Sequence, residues 1–238
     1  MTGTIINVVA VLIGGSLGTF VGGRLPARVQ ETVISALGLF VIALGIKLTL
    51  QSQNVLITLG SALLGGLLGE WWNLDALMHR LGGWLEARVA RSPSDAATAR
   101  FIKGFVSASL IFCVGPLAIL GSIQDGLTGN YQLLAVKSLL DGFGALAFSA
   151  SLGIGVLFST IVILVYQGGI SLLATQAQSL LTTPMINEMT AVGGLLVMAI
   201  GVGGLLELKP IRVANYLPAL VIAPLIAAVL HAYGVSGF

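Results

Sequence analysis

Apolar residues fill this chain in long runs, each interrupted by a short polar or glycine-rich break. Runs of roughly 17 to 22 residues, close to the ~20 a helix needs to cross a bilayer, can be drawn at residues 4–22, 33–51, 55–72, 101–122, 133–151, 154–174, 186–206 and 213–232. Each predicts a membrane-crossing helix. Only Leu152-Gly153 separates the fifth run from the sixth. The one sizeable polar stretch follows the third run. There Leu74, Leu77, Met78, Leu81, Trp84, Leu85 and Val89 recur at helical spacing opposite Asp75, Arg80, Glu86 and Arg88. That pattern predicts an amphipathic helix over 74–91 lying on the membrane surface, as a connector or a docking face. Trp71 and Trp72 suit the interfacial belt at its entry.

Composition agrees. Of 238 residues, 56% are hydrophobic and 8% charged, against roughly 25% charged in a soluble domain. Mean hydropathy is +1.02. The small net charge of +2 gives no reason to expect nucleic acid. The single Cys113 excludes an internal disulfide.

The basic residues set the topology. With eight spans, Arg24, Arg28, Arg80, Arg88, Arg91, Arg100, Lys103, Lys209 and Arg212 all fall on one side, leaving Lys47 opposite and Lys137 within the membrane. Six spans with a re-entrant pair would meet the same test. Basic loops stay cytoplasmic, so both termini are expected outside a bacterial inner membrane, with no cleaved leader before the first span.

A repeat is also visible. Gly38 to Ile46 (GLFVIALGI) aligns with Gly194 to Val202 (GLLVMAIGV), and Gly14-Gly15 aligns with Gly168-Gly169 at a slightly different offset. Spans one to three would then correspond to six to eight, with opposite orientation. The expected fold is an all-α polytopic membrane protein: a three-helix repeat (1–72), a cytoplasmic amphipathic helix and linker (73–100), a central pair with a broken helix (101–153), and a second, inverted repeat (154–238). Inverted 3+3 repeats are an architecture of secondary transporters.

The candidate chemistry lies in the central pair. An ionisable group at the bilayer centre costs about 2.5 to 3.5 kcal/mol even on the lenient insertion scale. Lys137 and Asp141 share one helix face, and Ser122-x-x-Asp125-Gly126 recurs as Ser138-x-x-Asp141-Gly142. Asp141, Lys137, Asp125, Gln124, Ser122 and Ser138 are therefore the expected pathway residues. Glu31 and Glu188, each following a proline near the start of corresponding spans, are candidate gates together with Asn7 and Asn215. Tyr166, Gln167 and Asn187 add uncharged polar groups. Gly115-Pro116 and Pro218 predict broken or kinked helices. Two ladders of small residues, Gly14/Gly18/Gly22 and Ser61/Gly65/Gly69, predict close helix packing within the chain or a homodimer contact.

Catalysis has no support in the pattern. His79 and His231 lack metal-site spacing, and no nucleotide-binding or hydrolase motif occurs. Neither a metal nor a cofactor is expected, and the protein is not expected to be an enzyme.

The pieces Gly3 to Asn7 (GTIIN), Phe112 to Asn130 (FCVGPLAILGSIQDGLTGN), Lys137 to Gly142 (KSLLDG), Ile186 to Leu196 (INEMTAVGGLL) and Ile211 to Leu220 (IRVANYLPAL) resemble the YqgA-type family of bacterial inner-membrane proteins. The resemblance spans the chain. It implies an integral membrane protein and carries over no site residues, the family's function being unassigned. The expected function is transport of a small solute or ion, cation- or proton-coupled. A channel through the same cavity, or a scaffold docking a partner through the 74–91 helix, are the alternatives.

Overall fold

In the computed structural model, residues 1–24, 26–78, 80, 95–113 and 116–232 are described. The regular elements among them are all helical: α1 (Thr2–Gly22), α2 (Ala27–Thr49), α3 (Val55–Trp72), α4 (Asp95–Cys113), α5 (Pro116–Thr128), α6 (Gln132–Leu152), α7 (Ser159–Leu172), α8 (Ala174–Leu180), α9 (Thr183–Ala199) and α10 (Ala219–Ala232). A tighter 3₁₀ segment, Gly153–Phe158, joins α6 to α7, and α9 continues through a wider π turn, Ile200–Leu205. Most of the expected 74–91 helix, at residues 79 and 81–91, lies outside the described residues, as does Gly115. The chain changes helix between Cys113 and Pro116, where the break was expected. Pro218 stands just before α10, where a missing N–H is harmless. The proline inside α10 is Pro224.

The molecule is apolar outside, and its interior holds polar groups as well as an apolar core. Leu67 and Val165 are each 70% exposed, whereas Asn7 and Gln167 are 0% exposed. Such a distribution suits hydrocarbon as the surrounding solvent. Seven described stretches are long and apolar enough to cross a membrane, and one of them, Gln132–Leu172, has 41 residues. That is length for two crossings. Its division comes at Gly153, whose φ of +79° is open to glycine and strained for other residues.

Packing against α1 shows the reversal. Methyl groups added at Gly14, Gly18 and Gly22 would overlap the carbonyl oxygens of Gly142, Leu146 and Ala150 in turn, so α1 and α6 run in parallel. Against α7 the order inverts: Asn7 meets Gln167 and Gly15 meets Leu157. Together α4 and α5 lead from one face to the other. Their start lies where Gly155 abuts Phe101, and their end lies where Asp125 accepts the Gly3 N–H.

The remaining helices form a second layer of contacts. Gly45 packs on Gly194 while Gly38 packs on Gly201, so α2 and α9 are antiparallel. Likewise Gly65 meets Ala219 and Gly69 meets Asn215, making α3 and α10 antiparallel. The glycines of both ladders thus face segments of the same chain, α6 for the first and α10 with the turn before it for the second. Followed through, these directions bring α10 out on the face where α1 begins, here the N-terminal face.

Candidate functional site

Three helices bring buried polar groups together. Asn7 (α1) donates through Nδ2 to Asp141 Oδ2 at 2.9 Å and to Gln167 Oε1 at 3.2 Å. Lys137 pairs with Asp141 one turn along α6. The parallel α1–α6 packing makes this possible, because its glycines let the backbones touch and bring Asn7 alongside Asp141. Exposure of the four ranges from 0% for Asn7 and Gln167 to 7% for Asp141. Asp141 lies nine residues beyond Gln132, roughly 14 Å along α6 at ~1.5 Å per residue. That is about half of a ~30 Å hydrocarbon core.

The cluster is only partly satisfied. Asn7 Oδ1, Gln167 Nε2 and Thr4 Oγ1 are buried without a hydrogen-bond partner in the chain. Thr4 sits one turn from Asn7 on the same side of α1. A buried polar group left unpaired costs about 1–3 kcal/mol, so each of these atoms calls for a partner such as a water, an ion or a ligand.

An apolar layer closes one side of the cluster. Val11, Ala145, Phe148, Phe112, Val156 and Ile163 belong to one buried core, and the Phe112 and Phe148 rings meet edge to face at 6.4 Å. Beyond it, a cleft of about 390 Å³ is lined by Thr19, Gly22, Arg100, Phe101, Ser149 and Leu152. Ser149 is buried there, and its hydroxyl also lacks a partner. Two α6 turns, roughly 12 Å, separate Asp141 from Ser149.

The other expected pathway residues are spread more widely. Asp125 is buried at the first turn of α1, accepting the Gly3 N–H at 2.9 Å and pairing with the Met1 amine at 3.0 Å. A carboxylate at a helix N-terminus is favoured by the dipole. Ser122 and Ser138 donate back into their own helices, to the Ala118 and Leu134 carbonyls, each at 2.6 Å. Gln124 is half-buried beside them.

The candidate gates have unlike surroundings. Asn7 is central. Glu31 is exposed at the start of α2. Glu188, 1% exposed, accepts from Ser52 Oγ and Gln53 N at 2.8 Å, Asn54 N at 3.2 Å and Thr58 Oγ1 at 3.3 Å. It ties α9 to the turn between α2 and α3. Asn215 lies at the opposite face, donating to Glu70 Oε2 at 2.5 Å, and Arg212 pairs with the same carboxylate at 2.6 Å. At that face Lys103 also binds Glu207 at 2.7 Å. This hydrogen bond and charge hold the Glu207 carboxyl below its ordinary range.

Gln167 was named from the sequence only as an added polar group and not as a pathway residue, and the donors around Glu188 were not singled out. The Ser52-Gln53-Asn54 turn, three polar residues between two spans, was the signal for a carboxylate partner. For Gln167 the signal was an amide deep in an apolar run. Among the described residues, no cluster of three or more His, Cys, Asp or Glu side chains could hold a metal.

Residues 2–228 match the family described as protein of unknown function, DUF554. The uncharacterized membrane protein YdfK of Bacillus subtilis (strain 168) is 31% identical over 238 residues, covering 98% of this chain and 99% of that protein. The uncharacterized protein YqgA of Escherichia coli (strain K12) is 35% identical over 227 residues, covering 95% of this chain and 96% of that one. No solved structure matches.

Proposed function

This chain is a member of the DUF554 family, and from that premise we propose that it is an integral transporter of a small solute or ion, coupled to a cation or proton, with both termini outside the inner membrane. The observation that carries the reading is the half-satisfied polar cluster of Asn7, Lys137, Asp141 and Gln167 at mid-depth. A cluster serving structure alone would have its donors and acceptors matched. Here a donor and two acceptors remain for a guest. Phe112 and Phe148 shut the route toward the cleft, as one closed state of an alternating-access cycle requires.

An inverted repeat of α1–α3 and α7–α10 supports the same reading. Match Gly38 with Gly194 and Gly45 with Gly201. The contact of Gly45 with Gly194 then exchanges with that of Gly201 with Gly38. Gly45 on Met198 becomes Gly201 on Ile42, and Gly194 on Thr49 becomes Gly38 on Leu205. Contacts that return as their own counterparts are what a two-fold axis between α2 and α9 produces. On this reading Asn7 and Gln167 come from opposite repeats and Asp141 from the central pair, so the site lies at the repeat interface.

Uptake of a panel of radiolabelled inorganic cations and metabolites into proteoliposomes tests the proposal. Saturable uptake driven by an imposed ion gradient, and reduced at least tenfold by Asp141→Asn, is the expected result. Uptake that never saturates would indicate a channel, and the absence of gradient-driven uptake across the panel would refute transport.

A further inference from the structure

The cleft beyond Phe112 and Phe148 is a second place where a guest would fit. Its volume of about 390 Å³ falls within the ~300–1,000 Å³ of small-molecule sites. The ends of α1 and α6, the start of α4 and the 3₁₀ segment line it, and α1 and α4 each pack on that segment. Phe101, Ala150, Leu152 and Ile154 make most of the wall apolar. The depth of the cleft follows from the helix ends. Arg100 is five residues past Asp95, where α4 starts, and Ser149 is three before Leu152, where α6 stops. At ~1.5 Å per residue these are depths of roughly 5 to 8 Å, the level at which lipid headgroups meet acyl chains.

Positive charge marks the mouth. Arg100 is the charged side chain among the described lining residues. Its Nη2 donates to the Ser151 carbonyl at 2.7 Å, which holds the guanidinium against the end of α6. A guanidinium carries five N–H donors, in a planar fork that suits a phosphate better than an ammonium does. Exposed Arg24 and Arg28 follow the end of α1, against Glu31 on α2 and Asp95 at the start of α4. Arg24 lies 3.8 Å from the centre of the Phe20 ring, which is 60% exposed on the apolar outer side of α1. Deeper in the cleft, Ser149 is 1% exposed and its hydroxyl has no partner in the chain.

A guest with a phosphate at one end and an apolar chain at the other matches both parts. A cation would meet Arg100, and a bare phosphate would leave the apolar wall uncovered. Basic pockets between membrane helices take anionic lipid headgroups on the same principle. We propose that this cleft binds one anionic phospholipid, its phosphate at Arg100 and one acyl chain along Phe101, Leu152 and Ile154. The Ser149 hydroxyl is then left to donate to an ester carbonyl. The site goes beyond the transport reading and stands without it, because the Phe112–Phe148 layer separates the cleft from Asp141.

Native mass spectrometry of the purified protein, mixed with phosphatidylglycerol or with phosphatidylcholine of the same acyl chains, tests the site. One phosphatidylglycerol per chain should be retained at lipid ratios where phosphatidylcholine is lost. Arg100→Gln should lower that occupancy at least fivefold, and Arg100→Lys should restore part of it. Arg212→Gln, which removes a charge from the same face outside the cleft, should leave occupancy within twofold of wild type. A phosphatidylglycerol with a photoreactive acyl chain should crosslink to wild-type protein within residues 97–101 or 149–155, a readout that does not depend on any variant folding. Equal retention of the two lipids, undiminished occupancy in Arg100→Gln, or crosslinks confined to other segments overturns the proposal. Displacement of phosphatidylglycerol by millimolar glycerol 3-phosphate would make the occupant a soluble anion and overturn the lipid. Neither readout involves a transported solute, so failure here leaves the transport reading as it stood.

Discussion

At the scale of single residues, the buried charges divide into those held by charge and those held by neutral donors. Lys137 and Asp141 are the first kind. Removing one partner should destabilise the fold by about 3–5 kcal/mol. Lys137→Met should therefore melt well below wild type, and adding Asp141→Asn should recover most of the loss in a thermal-unfolding assay. Glu188 is the second kind. Glu188→Ala would strand the Ser52, Gln53, Asn54 and Thr58 donors, at a cost on the order of 3 kcal/mol, visible in the same melts; an unchanged melting temperature would show the cup to be weak. The Lys137–Asp141 pair was legible in the sequence because its four-residue spacing and apolar surroundings are both local. Asn7 and Gln167 were visible as polar groups in apolar runs, but their meeting was not, since it depends on which helix lies beside which. Glu188 and Glu31 looked alike in sequence, each a turn past a proline, and separated only when the α2–α3 turn closed over one of them.

At the scale of helices, glycine decides the neighbours. Gly18 on α1 and Gly69 on α3 face backbone carbonyls across their interfaces, whereas Gly60 has open space where a side chain would go. Gly18→Leu and Gly69→Val should each force a helix pair apart and prevent recovery of a monodisperse protein by size-exclusion chromatography. Gly60→Ala should be tolerated and gain up to about 1 kcal/mol from helix propensity. The spans were legible because bilayer thickness imposes their length on the sequence. The ladders were legible as close packing but not as to partner, since a small residue records that something approaches and not what. That α10 runs on through Pro224, and that α9 widens into a π turn at Ile200–Leu205, was missed, since neither is written in the pattern of polarity.

At the scale of the molecule, the helix directions group the loops by face without reference to orientation. Gln51, Asn130 and Gln176 belong to the N-terminal face; Gly23, Asn73 and Glu207 belong to the opposite one. Single cysteines at these positions, in a Cys113→Ser background, should react with an impermeant maleimide from sealed vesicles as two sets of three. Gln176 reacting with the second set would mean that the chain does not turn back at Gly153. That turn has a consequence for how the protein is made. Between α6 and α7 no hydrophilic segment exists for an insertion machinery to retain on one side, so the two helices must enter lipid together as a hairpin, with Asp141 and Lys137 neutralising each other on entry. The sidedness of every later segment, α9 with its buried Glu188 included, is then settled at a single glycine during synthesis.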